Sequence, residues 1–380
     1  MSPPALLAAA KARTDAFVDR LRVLVGIDRG SRDLDGLAAA ATALTGFLGE
    51  AGMAVTRAPV AAGEPLGEAV VGRLRGSGRR TVLLAGHLDT VFGRGAAAAR
   101  PFTVDAAGIA RGPGVCDDAG GLLAGVAAVE VLRELGSHRF GEVVLVATPD
   151  EEIGSPGSRA LLAELGAAAD VVLGLECARA DGALVAGRKG VADVAVALRG
   201  RAAHAGIEPG AGASAALAAA RLALAFDELN AGDVTVNTGV LRAGERANVV
   251  AASGELRAEL RAREPARFAA ALARMRALAA DSAVPAELAV EAPVPPWRAT
   301  AGTHRLLALA REVGAEVGVD VRAVETGGCG DANLLAQHCA TVLDGLGPVG
   351  GSDHGEAEYL DLTTVPARVA LLAGLVHRAG

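Results

Sequence analysis

Four short, almost unbroken apolar runs constrain this chain more than any other feature. They are TVLLAG (81–86), EVVLVAT (142–148), VVLGLE (171–176) and ATVLDGL (340–346). A strand with one wet face alternates polar and apolar residues. Runs that are apolar throughout read instead as strands buried on both faces, the mark of a parallel sheet covered by helices. GLLAGVAAVEVLREL (121–135) supplies a helix between the first two runs. From Thr14 to about Gly52 the pattern is also helical, with Phe17, Leu21 and Val25, then Leu37, Ala41, Leu44 and Leu48, at three-to-four spacing. Alternating strands and helices predict an α/β fold with a mostly parallel sheet sandwiched by helices.

The fourth run is separated from the others by a stretch of different character. VADVAVAL (191–198) alternates, as a half-buried strand does. A helix follows (Ser214 to Leu229), then two strands (233–241 and 248–262), a helix opened by Pro265 and running to Ala280, and a strand AELAVEA (286–292). That order is β-α-β-β-α-β, an α+β ferredoxin-like module. The expected organisation is a discontinuous domain of residues 1–190 and 293–380 with an inserted domain of 191–292. A length of 380 residues agrees with two cores rather than one. The exposed strand edges of the insert are natural pairing surfaces, so a homodimer through this domain is expected.

Charge narrows the range of partners. A net charge of −7 with no basic cluster argues against nucleic acid and against an anionic membrane. No segment offers 18 unbroken apolar residues, so no membrane span is expected. The opening MSPPALLAAAKAR has neither a basic lead nor a clear cleavage site, which makes the cytoplasm the expected location. The four cysteines show no CxxC spacing and read as small buried thiols of a reducing compartment.

The chemistry-bearing residues fall in one kind of place. His87 and Asp89 follow the first strand, Asp150, Glu151 and Glu152 the second, and Glu176 ends the third. His354 lies in the glycine-rich loop after the fourth, and Asp117 and Asp118 stand just before the 121–135 helix. Taken singly, each has a plainer account: a solvated acid, a helix cap, a charged first turn or a surface histidine. Taken together, they gather at the carboxyl ends of parallel strands, where open α/β sheets bind ligands. So many carboxylates cannot share a crevice uncompensated, and these loops hold few basic residues. A pair of divalent cations resolves the conflict. Imidazole nitrogens and carboxylate oxygens without thiolate suit Zn2+, with Mn2+ or Co2+ as substitutes.

HLDTVF, GPGVCDDAGG, DEEIGSPGS, the strand ending in Glu176, GRAAHAG, TGGCGDANLL and GSDHGEAEYLD occur in that order. Together they resemble the co-catalytic zinc metallopeptidases of the glutamate carboxypeptidase, aminoacylase and acetylornithine deacetylase type, with GRKGVADVAV and LDGLGPVGG most similar to the glutamate carboxypeptidase branch. The resemblance runs from about residue 80 to the end. It implies two zinc ions per chain, with His87 and Glu176 on one, Glu152 and His354 on the other, and Asp117 bridging both. It further implies that Asp89 orients the His87 imidazole and that Glu151, left off the metals, is the general base. His204 in GRAAHAG would donate to the oxyanion of the tetrahedral intermediate, commonly across a dimer. Asn248 and Arg261, on the hairpin of the insert, would grip a substrate carboxylate, and Gly328, with Gly327 and Gly330, would let backbone approach the substrate.

Two positions depart from the family pattern. Ala119 stands where many relatives carry lysine, and Cys177 where some carry proline. The activity implied is hydrolysis of an amide bond in a small peptide or N-acyl amino acid with a free, glutamate-like carboxylate. An N-acyl-amino-acid deacetylase is the alternative. A catalytically silent binding protein on the same fold would have lost a ligand or Glu151, and none is lost. A nucleotide-binding protein would carry a GxGxxG loop after the first strand, and none is present.

Overall fold

The computed structural model describes residues 1–380 as two compact units. The first comprises Met1–Gly187, Ala299–Glu325 and Gly330–Gly380, the second Arg188–Arg298 and Thr326–Cys329.

The first unit is built on a six-stranded sheet in the spatial order Ala54–Ala61, Pro65–Arg75, Glu142–Thr148, Thr81–His87, Val171–Gly174, Val342–Leu343. The last four are parallel to one another, and the first two form an antiparallel hairpin on the Glu142–Thr148 edge. Register sets the site: His87 pairs with Thr148 and Ala85 with Gly174, so the carboxyl ends of three strands lie level. Helix Gly121–Glu134 is apolar on nearly every side and buried, as a helix packed between a sheet and other helices must be. It sits close to the third parallel strand's exit because Gly121 has no side chain: a Cβ there would stand 1.9 Å from the Leu175 carbonyl oxygen. Helices Pro3–Lys11, Ala301–Val317 and Val365–Ala379 complete that core.

Several boundaries differ from the sequence expectation. The fourth strand is only Val342–Leu343, because Asp344 turns its backbone to Val185 and Gly345 takes φ +72°. The 171–176 strand ends at Gly174. The helical pattern from Thr14 resolves into Thr14–Val25 and Leu34–Glu50, the second capped by the Asp33 side chain. The 54–75 hairpin was not anticipated, since its polar edge residues break the buried-run signal. A small antiparallel sheet of Thr103–Val104, Ile109–Arg111, Tyr359–Asp361 and Gly350–Gly351 was also not anticipated, and it carries the His354 loop.

The second unit is the ferredoxin-like module. Strands Gly190–Arg199, Thr235–Ala243, Ser253–Ala262 and Ala286–Val294 form an antiparallel sheet, with the 253–262 and 286–294 strands flanking 190–199 and 235–243 at the far edge. Helices Ala215–Asp227 and Pro265–Ala280 bury Leu222, Phe226, Phe268 and Met275 against one face. Ser214 caps the first helix by accepting from the Leu217 N–H.

Candidate metal centre

In the first unit the carboxyl ends of the strands bring five expected donors together. His87, Asp117 and Glu176 form one group of three ligand atoms, and Asp117, Glu152 and His354 a second, with all atoms of each group within 4.8 Å of one another. Asp117 belongs to both. Its Oδ1 lies 2.8 Å from His87 Nε2 and its Oδ2 3.1 Å from His354 Nε2. Glu176 Oε1 is 3.6 Å from His87 Nε2, and Glu152 Oε2 3.0 Å from His354 Nε2.

Electrostatics say what such a cluster needs. His87 is buried, which opposes its protonation, yet the carboxylates of Asp117, Asp89 and Glu176, as acceptors for the imidazolium, hold its pKa well above the ordinary imidazole range. Asp117 and Glu152 push His354 up to about 10. Burial drives the Glu151 carboxyl well above the usual range, with Glu176, Asp331 and Glu152 adding to the effect and His87 opposing it. Asp117 itself is depressed, because the two imidazoles outweigh its burial. Each imidazole Nε2 thus aims its lone pair among carboxylate oxygens, a position that requires a proton or a cation. The donors, nitrogen and oxygen without sulfur, fit a pair of borderline-hard divalent cations.

Asp89 does more than face its histidine. It is fully buried, with Oδ1 3.4 Å from His87 Nδ1. The same carboxylate accepts the backbone N–H groups of Glu151 and Glu152, each at 3.1 Å, and the Ser31 hydroxyl at 2.7 Å. The backbone carbonyl of Asp89 is nearer still to His87 Nδ1, at 3.1 Å, so this one residue positions the histidine through its carbonyl and carboxylate and the acidic loop through its carboxylate. Asp331 holds that loop from the other side, accepting from Thr148 at 2.7 Å and from Ser155, and burial pushes its carboxyl up to about 6.

The cysteine expectation requires correction. Cys116 and Cys177, neighbours in sequence of Asp117 and Glu176, have Cα atoms 5.9 Å apart and are joined as a disulfide. Only Cys329 and Cys339 are free. Spacing along the chain could not show this, because the pair is 61 residues apart and meets only where the strand ends converge. It also removes the free-thiol argument for a reducing compartment.

His204, Asn248, Arg261 and Gly328 belong to the second unit. His204 and Asn248 are exposed neighbours: the Ala205 N–H donates to the Asn248 carbonyl at 3.1 Å. His204 Nδ1 accepts from the Gly206 N–H at 3.1 Å, which leaves the ring proton on Nε2. Asn248 is not on a strand as expected but in the 244–252 connection, because the second strand begins only at Ser253. The Arg261 fork is engaged by Glu259 at 2.6 and 2.9 Å, and its Nη1 donates to the Gly327 carbonyl at 2.9 Å. Gly328 is exposed, and its carbonyl faces Arg188 Nη1 at 3.5 Å.

The sequence profile of peptidase family M20/M25/M40 matches residues 83–378. The chain belongs to this family. Carboxypeptidase G2 from Pseudomonas sp. (strain RS-16) is 34% identical over 386 residues, covering 99% of this chain and 92% of the relative. Among solved structures, a tripeptidase from Staphylococcus aureus subsp. aureus Mu50 superposes with a TM-score of 0.81 at 22% identity, covering 96% of this chain and 99% of that one. An M20 family metallo-carboxypeptidase from Sulfolobus solfataricus has a TM-score of 0.70 at 13% identity, covering 95% and 98%. These likenesses carry the fold, a parallel-rich α/β domain with an inserted α+β domain. As an M20/M25/M40 peptidase the chain is a metal-dependent hydrolase. No helix is long and apolar enough to cross a membrane.

Sequence reasoning assigned no role to Arg29, Ser31, Asp331 or Glu358, all buried beside the donors. Asp331 and Glu358 lie inside the motifs TGGCGDANLL and GSDHGEAEYLD, which was the available signal for them, whereas Arg29 and Ser31 carry none that a surface loop would not share.

Proposed function

We propose that this M20/M25/M40 peptidase is a di-zinc carboxypeptidase of the glutamate carboxypeptidase kind. It hydrolyses the amide bond before a glutamate-like residue with a free carboxylate, in a small peptide or an N-acyl amino acid. The observation that carries the reading is the sharing of Asp117 between two donor triplets, with Glu151 beside them and in neither. The substrate class is supported by near full-length similarity to carboxypeptidase G2.

When bound, two divalent cations would lower the pKa of a water toward about 7 and polarise the scissile carbonyl. His87 and Glu176 would hold one, Glu152 and His354 the other, with Asp117 available to both. Asp89 keeps the His87 ring oriented. Glu151 takes the proton of the attacking water and returns it to the leaving amine, a role open to it because it is in neither donor triplet. His204 donates from Nε2 to the developing oxyanion. Asn248 and Arg261 receive the substrate carboxylate, Arg261 exchanging Glu259 for it, with the Gly328 backbone alongside. Residues 1–190 and 293–380 are the catalytic domain and 191–292 the lid and dimerisation domain. A homodimer is supported by Leu217 and Leu224, which are 60% and 68% exposed two turns apart on one helix of the insert.

The test is a panel of N-acyl and peptidyl amides ending in glutamate, aspartate, alanine or lysine, with metal content measured on the same preparations. Cleavage fastest before glutamate, at close to two zinc per chain, is expected. Preference for acetyl over peptidyl substrates would transfer the chain to the deacetylases, and full activity with a single metal would overturn the di-zinc assignment.

A further inference from the structure

We propose that Glu358 is a positioning residue whose buried carboxylate fixes the backbone carrying Asp117, and so sets the affinity of the site for its cations. The inference rests on the metal reading above.

Glu358 is 1% exposed. Its Oε2 accepts the Gly114 N–H at 2.9 Å, and its Oε1 accepts the N–H groups of Cys116 at 2.9 Å and Asp117 at 3.1 Å. The Val115–Gly120 turn is irregular at Asp117 and Asp118 and cannot satisfy these donors itself. A buried N–H without a partner is strongly disfavoured, so the carboxylate dictates where this backbone lies. Glu358 also stands four residues after His354, in the connection between Gly350–Gly351 and Tyr359–Asp361. It therefore ties the His354 segment to the Asp117 segment.

Arg29 extends the tie to a third segment. It is 2% exposed and donates to the carbonyls of Gly114 at 2.9 Å and Leu88 at 3.3 Å, and Leu88 lies between His87 and Asp89. Its charge also compensates that of Glu358. Gly114 is thus held from both sides, its N–H by Glu358 and its carbonyl by Arg29. At φ +65° it has no room for a side chain: a Cβ would come within 2.6 Å of Arg29 Nη2 and 2.5 Å of Thr90 Cγ2. Two buried, opposite charges meeting on one glycine bind three donor-bearing segments to each other. Neither charge is itself among the donors.

In Glu358→Gln the side chain keeps its shape, but one carboxylate oxygen becomes an amide nitrogen that meets a backbone donor. The experiment uses full-length protein stripped by chelator and titrated with zinc against a chromogenic competitor, with thermal unfolding of the stripped protein in parallel. Val313→Ala, a core truncation in helix Ala301–Val317, serves as a control for general destabilisation. Glu358→Gln is expected to weaken zinc binding 10- to 100-fold, the range for residues that orient metal ligands, while Val313→Ala lowers the thermal midpoint and leaves affinity unchanged. Wild-type affinity in Glu358→Gln, or an equal loss in Val313→Ala, overturns the proposal. Should Glu358→Gln not fold, Gly114→Ala probes the same anchor, and wild-type affinity there overturns the proposal equally. A wild-type chain that binds no zinc overturns instead the metal reading beneath it.

Discussion

Replacing Asp89 by asparagine removes one oxygen from a side chain that uses both. The aspartate Oδ1 accepts from Glu151 N–H, and Oδ2 accepts from Glu152 N–H and Ser31 Oγ, all in a fully buried position. Whichever way the amide is turned, its NH2 faces one of the two backbone donors. The Ser31 hydroxyl can rotate to accept, but a backbone N–H cannot. One charge-assisted hydrogen bond is lost and a buried donor is left unsatisfied, at a cost of about 2–4 kcal/mol to the closed form of the 149–155 loop. At about 1.4 kcal/mol per decade, amide exchange at Glu151 or Glu152 should quicken by roughly 30- to 1,000-fold. Hydrogen–deuterium exchange on metal-stripped protein reads this directly. The same variant should lose roughly 10- to 100-fold in turnover through the disturbed His87 ring. Unchanged exchange at both amides would refute the assignment of Asp89 as the anchor of the acidic loop, whatever the turnover.

Glu151→Gln should lower kcat by about 100- to 10,000-fold with metal content unchanged, whereas Glu152→Gln should lose metal as well; kinetics and elemental analysis of the same samples separate the two. Undiminished turnover in Glu151→Gln would assign the base elsewhere. His204→Ala should reduce kcat by about 100-fold with little change in KM, and mixing it with Glu151→Gln under conditions of demonstrated subunit exchange should restore activity. Mixed dimers that form but stay inactive would exclude donation across the interface. Asp233 stands before helix Pro265–Ala280, where the N–H groups of Glu264 and Arg263 and the Arg267 side chain overcome its burial and lower its pKa to about 2. A depressed folded pKa contributes stability above the unfolded value near 3.8, lost as pH falls through about 2. Asp233→Asn should therefore destabilise the second unit by about 1 kcal/mol at neutral pH, the screened value for a partly exposed group, and the deficit should fade between about pH 4 and 2. A deficit constant over that range, measured from Trp297 fluorescence, would show that the charge is not what matters.

Periodicity makes the sheet legible in the sequence. A strand buried on both faces has no polar positions to spare, so 81–86 and 142–148 announce themselves, and the order of helices and strands from Gly190 to Val294 reveals the inserted module. The strand ends also pointed to a pool of acids and histidines at one edge of the sheet, but only the resemblance of the motifs singled out the five donors among them, Asp117 lying in a turn before a helix rather than after a strand. Local signals failed where the backbone obeyed a distant partner. The fourth strand stops at Leu343 because Asp344 bonds to Val185, which no window around residue 343 contains.

What tertiary structure alone decided is how the donors are held. Arg29 and Glu358 are 329 positions apart and meet on Gly114, and Asp331 reaches back to Thr148 and Ser155. Cys116 and Cys177 show the same thing, a pairing that follows from where two loops end rather than from spacing. A ligand is recognisable because its chemistry and its place after a strand or before a helix go together. The residue that anchors a ligand's backbone needs only to be buried in the right place, and burial is a property of the folded chain.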